Sequence, residues 1–284
     1  MIIRACIFDL GGTIIDKYSL TPLVSFKKAF LNKGIILDSE LIRKDMGLNK
    51  IDHIDKICNK PIVIKDWYKK YNRIINDEDK EDLYNKFLKI QKRETIENMK
   101  IIPETYDVIK KLKERNIKIG STTGFDKEQM ERVKSILKSN GIELDSYVSS
   151  TCLDKPGRPF SYMIHENMNR LNISSPKNVI KLDDTNSGIR EGINAGCWTI
   201  GVSRWSVYMN VNDYSEINYL STDNLINKIE NSKKTLQKSG PNMIINDLRE
   251  LPKIIDNIND MNTSLPFKIQ EKDSIYPGGM NVQT

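Results

Sequence analysis

A chain of 284 residues is long enough for one principal hydrophobic core and a smaller companion. Its 44 basic and 38 acidic residues leave a net charge of +6, but the two signs are interspersed, and no basic stripe marks a nucleic-acid binder. Four scattered cysteines (Cys6, Cys58, Cys152, Cys197) and only two histidines argue against a disulfide framework or a zinc site; no apolar run of about 18 residues or more is present to cross a membrane.

Residues 2–8 place Ile2, Ile3, Ala5, Ile7 and Phe8 in the pattern of a buried parallel strand, with the Asp9 carboxylate at its C-terminal end. In open α/β sheets that edge is where ligands bind. A strand beginning at residue 2 and carrying Arg4 is no secretory signal, so a soluble cytoplasmic protein is expected. Gly11 and Gly12 let the backbone turn tightly with exposed amides, and Thr13 can bond within the turn. From about residue 17 to 99 the strand pattern stops. Segments 23–33, 39–46 and 77–97 carry apolar residues at three- and four-residue spacing among many Lys and Glu, which predicts helices.

Strand and helix alternate again from Ile101. The pattern predicts a helix over 103–115, opened by Pro103, a strand over 117–122, a helix over 127–140, a strand over 147–150 and a helix over 162–171. Strands over 179–182 and 198–202 then flank a helix ending near Ala195. Such alternation implies a parallel sheet with right-handed crossovers. The expected fold is α/β, a Rossmann-like parallel-sheet core with an inserted all-helical cap. Residues 1–16 and 100–262 form the core, 17–99 the cap, and 263–284 a polar C-terminal extension.

Three segments fall on the same sheet edge as Asp9. Gly120-Ser121-Thr122-Thr123-Gly124 runs a strand into a small-residue turn, where a Thr hydroxyl and free amides can cradle a phosphate. Lys155-Pro156-Gly157-Arg158-Pro159 is a rigid turn with two cations, and the planar Arg fork suits phosphate or phosphonate. Lys181-Leu182-Asp183-Asp184-Thr185-Asn186-Ser187-Gly188 sets adjacent carboxylates at a strand end, a costly arrangement that a cation such as Mg²⁺ relieves. Each segment alone is also compatible with an ordinary turn; their order and spacing after Asp9 are what point to a site.

Phe8-Asp9-Leu10-Gly11-Gly12-Thr13 resembles the Asp-x-Asp-x-Thr nucleophile loop of the haloacid dehalogenase-like superfamily, with glycine where its phosphatases carry a second acid. Met46-Gly47-Leu48-Asn49-Lys50-Ile51-Asp52-His53 narrows the resemblance to the superfamily's phosphonatase branch, the phosphonoacetaldehyde hydrolases. Residues 117–124, Gly157-Arg158-Pro159 and 191–199 carry it further, and it extends over most of residues 1–260.

The resemblance implies cleavage of the P–C bond of phosphonoacetaldehyde to acetaldehyde and phosphate. Lys50 forms the Schiff base, Asp9 the aspartyl-phosphate, and His53 moves protons near Lys50. Thr123, Gly124, Arg158 and Met46 line the substrate. Mg²⁺ is held by Asp9, the Gly11 carbonyl and Asp184, with Asp183 in possible support. A homodimer is implied, as is a small phosphonate or phosphate substrate, with neither nucleic acid nor membrane as partner. Chemically, a carbon leaving group needs an electron sink, which an iminium supplies. Lys50 must then be partly neutral, with a pKa below the free value of about 10.4. The chain departs from the family at Ser19 and Phe125, where Cys and Tyr are usual. It departs again at Gly188, where the family has an acid, and at Asp183, where glycine is usual. A hydrolase of altered substrate range, or an impaired member acting as a binding protein, are the competing readings.

Overall fold

The computed structural model describes residues 2–263 apart from residues 154 and 220, so the expected extension lies, from residue 264 on, outside the described residues. The first strand, β1 (Ala5–Phe8), is buried at all four positions. Ile2, assigned to this strand from its sequence, is 59% exposed, because the sheet begins only at Ala5 and the Ile3 amide bonds the Asn259 side chain instead.

Five α-helices follow β1 before the α/β alternation resumes: α1 (Leu20–Leu31), α2 (Ser39–Arg43), α3 (Lys50–Cys58), α4 (Pro61–Tyr71) and α5 (Asp77–Asn98). Their starts are written locally. Asp38 and Asn49 cap α2 and α3 by accepting from backbone amides, Asn76 and Asp79 form a reciprocal capping box on α5, and Pro61 opens α4. Facing apolar stripes bury Phe26 of α1 against Phe87 of α5, ring centroids 4.3 Å apart. The surrounding cluster includes Leu23, Ile54 and Trp67, and also Trp205, Val207, Met209 and Val211 from a distant segment. Helix α2 ends at Arg43, three residues short of the predicted end, and turns carry the chain through Met46 and Gly47.

The remaining elements alternate: α6 (Thr105–Glu114), β2 (Lys118–Thr123), α7 (Lys127–Ser139), β3 (Ser146–Ser149), α8 (Tyr162–Leu171), β4 (Val179–Asp183), α9 (Asn186–Ala195), β5 (Trp198–Val202), α10 (Thr222–Gln237), β6 (Met243–Ile245) and α11 (Leu251–Thr263). The strands make one sheet in the order β3-β2-β1-β4-β5-β6, every pair parallel. Strand β6 and helices α10 and α11 extend the core beyond the last predicted strand. Phe8 pairs with Ser121 on one side and Leu182 on the other, so Asp9, Thr122 and Asp183 emerge level at the sheet edge. The Asp9 amide donates to the Leu182 carbonyl at 2.9 Å, which fixes that level.

Replacing Phe87 by Ala removes a fully buried ring from the α1–α5 seam and is expected to cost about 3–5 kcal/mol. Urea denaturation checks it, and a loss under about 1 kcal/mol contradicts the packing role assigned to this ring.

Candidate active site

At the C-terminal edge of the sheet, Arg158 sits among acids. Its Nη2 donates to Asp9 Oδ1 at 2.7 Å and lies 3.4 Å from Asp183 Oδ2, while Nε donates to Glu191 Oε2 at 3.0 Å. Lys181, buried mid-strand, reaches Asp183 Oδ2 at 2.9 Å and Thr122 Oγ1 at 2.8 Å. Thr122 in turn donates to Glu191 Oε2 at 2.9 Å. Charged groups this deeply buried persist only when paired, and each side of the network satisfies the other. Burial alone pulls the Arg158 guanidinium down, but Asp183, Asp9 and Glu191 raise its pKa above the usual value.

The charge balance is uneven. Four buried carboxylates (Asp9, Asp183, Asp184, Glu191) face two buried cations that ion-pair within the cluster, Arg158 and Lys181, and a third, Lys50, shares the cavity without an ion pair to any of the four. The deficit falls on Asp184. Its Oδ2 accepts from the Val207 amide at 3.0 Å, whereas Oδ1 is buried with no hydrogen-bond partner among the described residues. Burial, then the charges of Asp9 and Asp183, drive its pKa well above the carboxylate range, and burial lifts Asp9 to about 6 against the pull of Arg158. Burial also acts on Asp183, but Arg158 and Lys181 hold it below its ordinary value. Oxygens of Asp9, Asp183 and Asp184 approach within 4.8 Å of one another. A hard divalent cation supplies the missing charge and takes oxygen donors of this kind, so the residues fit one. Asp183 is the least available donor, since Oδ1 accepts from the Thr185 amide and hydroxyl and Oδ2 faces Lys181 and Arg158.

The helical insertion closes over this edge through the turn before α3. Gly47 has φ +90°, and a Cβ there would overlap the Ser187 and Thr185 hydroxyls. The Gly47 carbonyl lies 3.4 Å from Arg158 Nη1, and the Met46 carbonyl accepts from Ser187 at 3.0 Å. Gly124 has no Cβ to strike the Leu48 carbonyl. Asp9, Gly11, Ser19, Met46, Lys50, Thr123, Gly124, Phe125 and Arg158 all line the cavity enclosed there, whose free volume is about 20 Å³, room for about one water. A larger groove of about 690 Å³ lies outside, along α3 and α5, and shares only Arg158 with the cavity.

Lys50 begins α3 and points into the cavity. It is 5% exposed, with Nζ 5.5 Å from the Phe125 ring centre and 5.9 Å from that of Phe26, and makes no hydrogen bond or ion pair with any described residue. Burial lowers its pKa to about 8, opposed by Asp9 and assisted by Arg158. His53, one turn on, is fully buried against Phe26, its centroid 4.3 Å away. Its Nε2 bonds the Ile42 carbonyl at 2.9 Å and its Nδ1 has no partner, while burial and the Lys50 charge depress its pKa to about 3, so the ring is neutral. At Gly11 a Cβ would lie 3.4 Å from Ser19 Oγ and 3.7 Å from Phe125 Cζ, an ordinary contact. The position lacks an acid, not room for a side chain.

Comparison with known proteins bears on this arrangement. Residues 3–196 match the haloacid dehalogenase-like hydrolase family. A phosphonoacetaldehyde hydrolase of Bacteroides fragilis is 35% identical over 257 residues, 90% of this chain and 97% of that protein. One of Bacillus cytotoxicus is 33% identical over 259 residues, 91% and 97% of the two chains. The crystal structure of a phosphonoacetaldehyde hydrolase-like protein of Oleispira antarctica superposes with a TM-score of 0.85 at 30% identity, covering 91% of this chain and 93% of that one. The chain belongs to the phosphonoacetaldehyde hydrolase family of haloacid dehalogenase-like hydrolases.

The glycine at 188, where the phosphonoacetaldehyde hydrolase resemblance leads one to expect an acid, has a direct structural counterpart. A Cβ on Gly188 would coincide with the Asp183 carboxylate. The acid is present in that volume but reaches it from the strand instead of the helix. Sequence reasoning missed the roles of Thr122, Lys181 and Glu191. Lys181 carried a signal, because a lysine inside an apolar strand run must meet a buried acid. Glu191 carried none, since one carboxylate on α9 looks like any surface acid.

Gly188→Asp is expected to lower the thermal midpoint, because overpacking costs about 1–3 kcal/mol and a fifth carboxylate enters the cluster. Adding Asp183→Gly to the same chain restores most of the loss in a calorimetric scan. Equal midpoints for the single and double variants contradict a shared volume.

Proposed function

We propose that this protein hydrolyses the P–C bond of phosphonoacetaldehyde, through an imine on Lys50 and a phosphoryl group on Asp9. The observation that carries the reading is the pairing of an unbonded, desolvated Lys50 with Asp9 in one cavity where Gly11 leaves no acid. A hydrolase of phosphate esters needs a proton donor beside the leaving oxygen. A carbon leaving group needs a place for its electron pair.

In the forward direction, neutral Lys50 Nζ adds to the aldehyde carbon and the carbonyl oxygen departs as water, leaving an iminium. Asp9 then attacks phosphorus as the P–C pair flows into the iminium, restoring the nitrogen lone pair as an enamine. Protonation of the enamine carbon and hydrolysis of the resulting imine free acetaldehyde and Lys50. Water attack on the aspartyl-phosphate releases phosphate. Arg158, fixed by Asp9 and Glu191, and Thr123 with the Gly124 amide grip the phosphonate oxygens, and Met46 covers them. Neutral His53, with Nδ1 free to accept, relays protons at Lys50. Asp9, the Gly11 carbonyl and Asp184, with Asp183 behind them, would hold Mg²⁺, which would supply charge neutralisation at the phosphoryl oxygens when bound.

The chain divides on this reading into a core (1–16 and 100–262) and a cap (17–99). The cleft has a free volume of only about 20 Å³, and on this reading the cap withdraws to admit the substrate and recloses to exclude water from the enamine. Family resemblance alone supports a cytoplasmic homodimer.

Borohydride added with phosphonoacetaldehyde is expected to leave a reduced adduct on Lys50, located by peptide mass mapping and absent in Lys50→Arg. Trapping rises with pH through about 8, where the amine loses its proton. An adduct elsewhere, or none at any pH, sinks the imine route. Asp9→Asn is expected to trap normally while phosphate release falls to background; full phosphate release by that variant removes Asp9 as nucleophile.

A further inference from the structure

The segment after β5 is core in sequence and cap in packing. Trp205, Val207, Met209 and Val211 bury their side chains in the same apolar cluster as Leu20, Phe26 and Met46 of the cap. Its backbone meanwhile turns toward the catalytic edge. Ser206 Oγ donates to the Asp184 carbonyl at 2.7 Å, and the Val207 amide donates to Asp184 Oδ2 at 3.0 Å. On the other face of the Val207 residue, its carbonyl accepts from Nε of Arg43 at 3.0 Å. Arg43 is the last residue of α2 and is 4% exposed. Its Nη2 also bonds the Val211 carbonyl at 2.7 Å and Asn212 Oδ1 at 2.8 Å.

We propose that Arg43 is a positioning residue that sets the orientation of Asp184 from the cap, acting through residue Val207. The inference rests on the metal reading above. One side chain of the cap fixes three acceptors of the strap, residues 205–212, and a guanidinium fork suits that task because its donors are coplanar and rigid. The strap thereby presents one amide to one oxygen of Asp184 and leaves the other, Oδ1, buried with no hydrogen-bond partner among the described residues. When the cap withdraws, Arg43 leaves the Val207 carbonyl and the carboxylate loses the support that aims it. Cation affinity and cap position are in this way linked through one residue of backbone, and the linkage runs both ways.

The test is titration calorimetry of the full chain with Mg²⁺ alone, with no substrate present. Loss of an outer support of a metal ligand weakens binding by about 10–100-fold, so Arg43→Gln is expected to raise the Mg²⁺ Kd about tenfold. Val207→Pro removes the amide and keeps the carbonyl, at the first position of a short 3₁₀ turn that tolerates proline; it is expected to weaken Mg²⁺ at least as much. If the relay runs through Val207, the double variant is no weaker than Val207→Pro alone. Lys27→Met removes another cap-to-strap bond, to the Asn212 carbonyl, that bypasses Val207, and leaves the Kd within about twofold, which separates the relay from general loosening of the cap. Where Arg43→Gln does not fold, Arg43→Lys, which keeps the charge and loses the fork, takes its place in the cycle. No Mg²⁺ binding by the unaltered chain overturns the metal reading and the relay with it. Binding that is normal in the unaltered chain and unchanged in the folded Arg43 variant, or losses that add in the double variant, overturns the relay alone.

Discussion

Everything at the catalytic edge depends on a buried guanidinium. Among the described residues, Arg158 is the single donor that touches Asp9, Asp183 and Glu191 together, and its side chain has almost no exposure. Removing it takes away the ion pair of Asp9 and leaves Asp183 and Glu191 to share Lys181, in a medium where a poorly paired carboxylate is very costly. Lys181 and Thr122 share the same oxygens from the strands beneath, so the cluster is held from the sheet as well as from the loops. The cations and hydroxyls satisfy Asp183 and Glu191 more fully than Asp184. That asymmetry gives Asp184 a different job from its neighbour in the sequence.

Two glycines interrupt the acidic pattern expected of this superfamily, and they mean different things. At 11 the nearest side chains are Ser19 and Phe125, and the carboxylate just beyond, Asp16, is held by Thr21. At 188 the carboxylate of Asp183 fills the place. On the proposed reaction, the first changes what the site can do with a leaving group. The second changes only the backbone position from which an acid is supplied. A sequence comparison that scores both as missing acids treats them alike; the geometry separates them.

The parallel core and its catalytic edge were legible because buried parallel strands are continuous apolar runs and because their ends carried small residues and acids. The predicted helix boundaries agree with the observed ones within three residues, α2 stopping at Arg43 where the side chain is drawn to the strap, whereas α3, α4, α10 and α11 were not set out individually. Strand β6 has only three residues and two of them are half-buried, too short for a pattern. The strap was harder still. Trp205, Val207, Met209 and Val211 alternate as a strand would, yet the segment forms a turn of 3₁₀ helix and buries its side chains against helices far earlier in the chain. Periodicity reports that one face is covered, never by what. Arg158 was marked by its rigid Pro-Gly-Arg-Pro turn at the sheet edge, whereas Lys50 was picked out by resemblance, since one lysine among 44 cations has no distinguishing mark of its own.

The shared volume at 183 and 188 also constrains how such a site can have arisen. Moving the acid from α9 to β4 one substitution at a time passes through one of two intermediates. One has carboxylates at both positions, forced into the same space. The other has glycine at both, with a small void and one negative charge fewer beside Arg158 and Lys181. The second is sterically open, whereas the first carries the overpacking cost of about 1–3 kcal/mol. The two positions are therefore expected to change as a pair across relatives, an epistatic link between residues five apart that reports one atom's worth of occupied space.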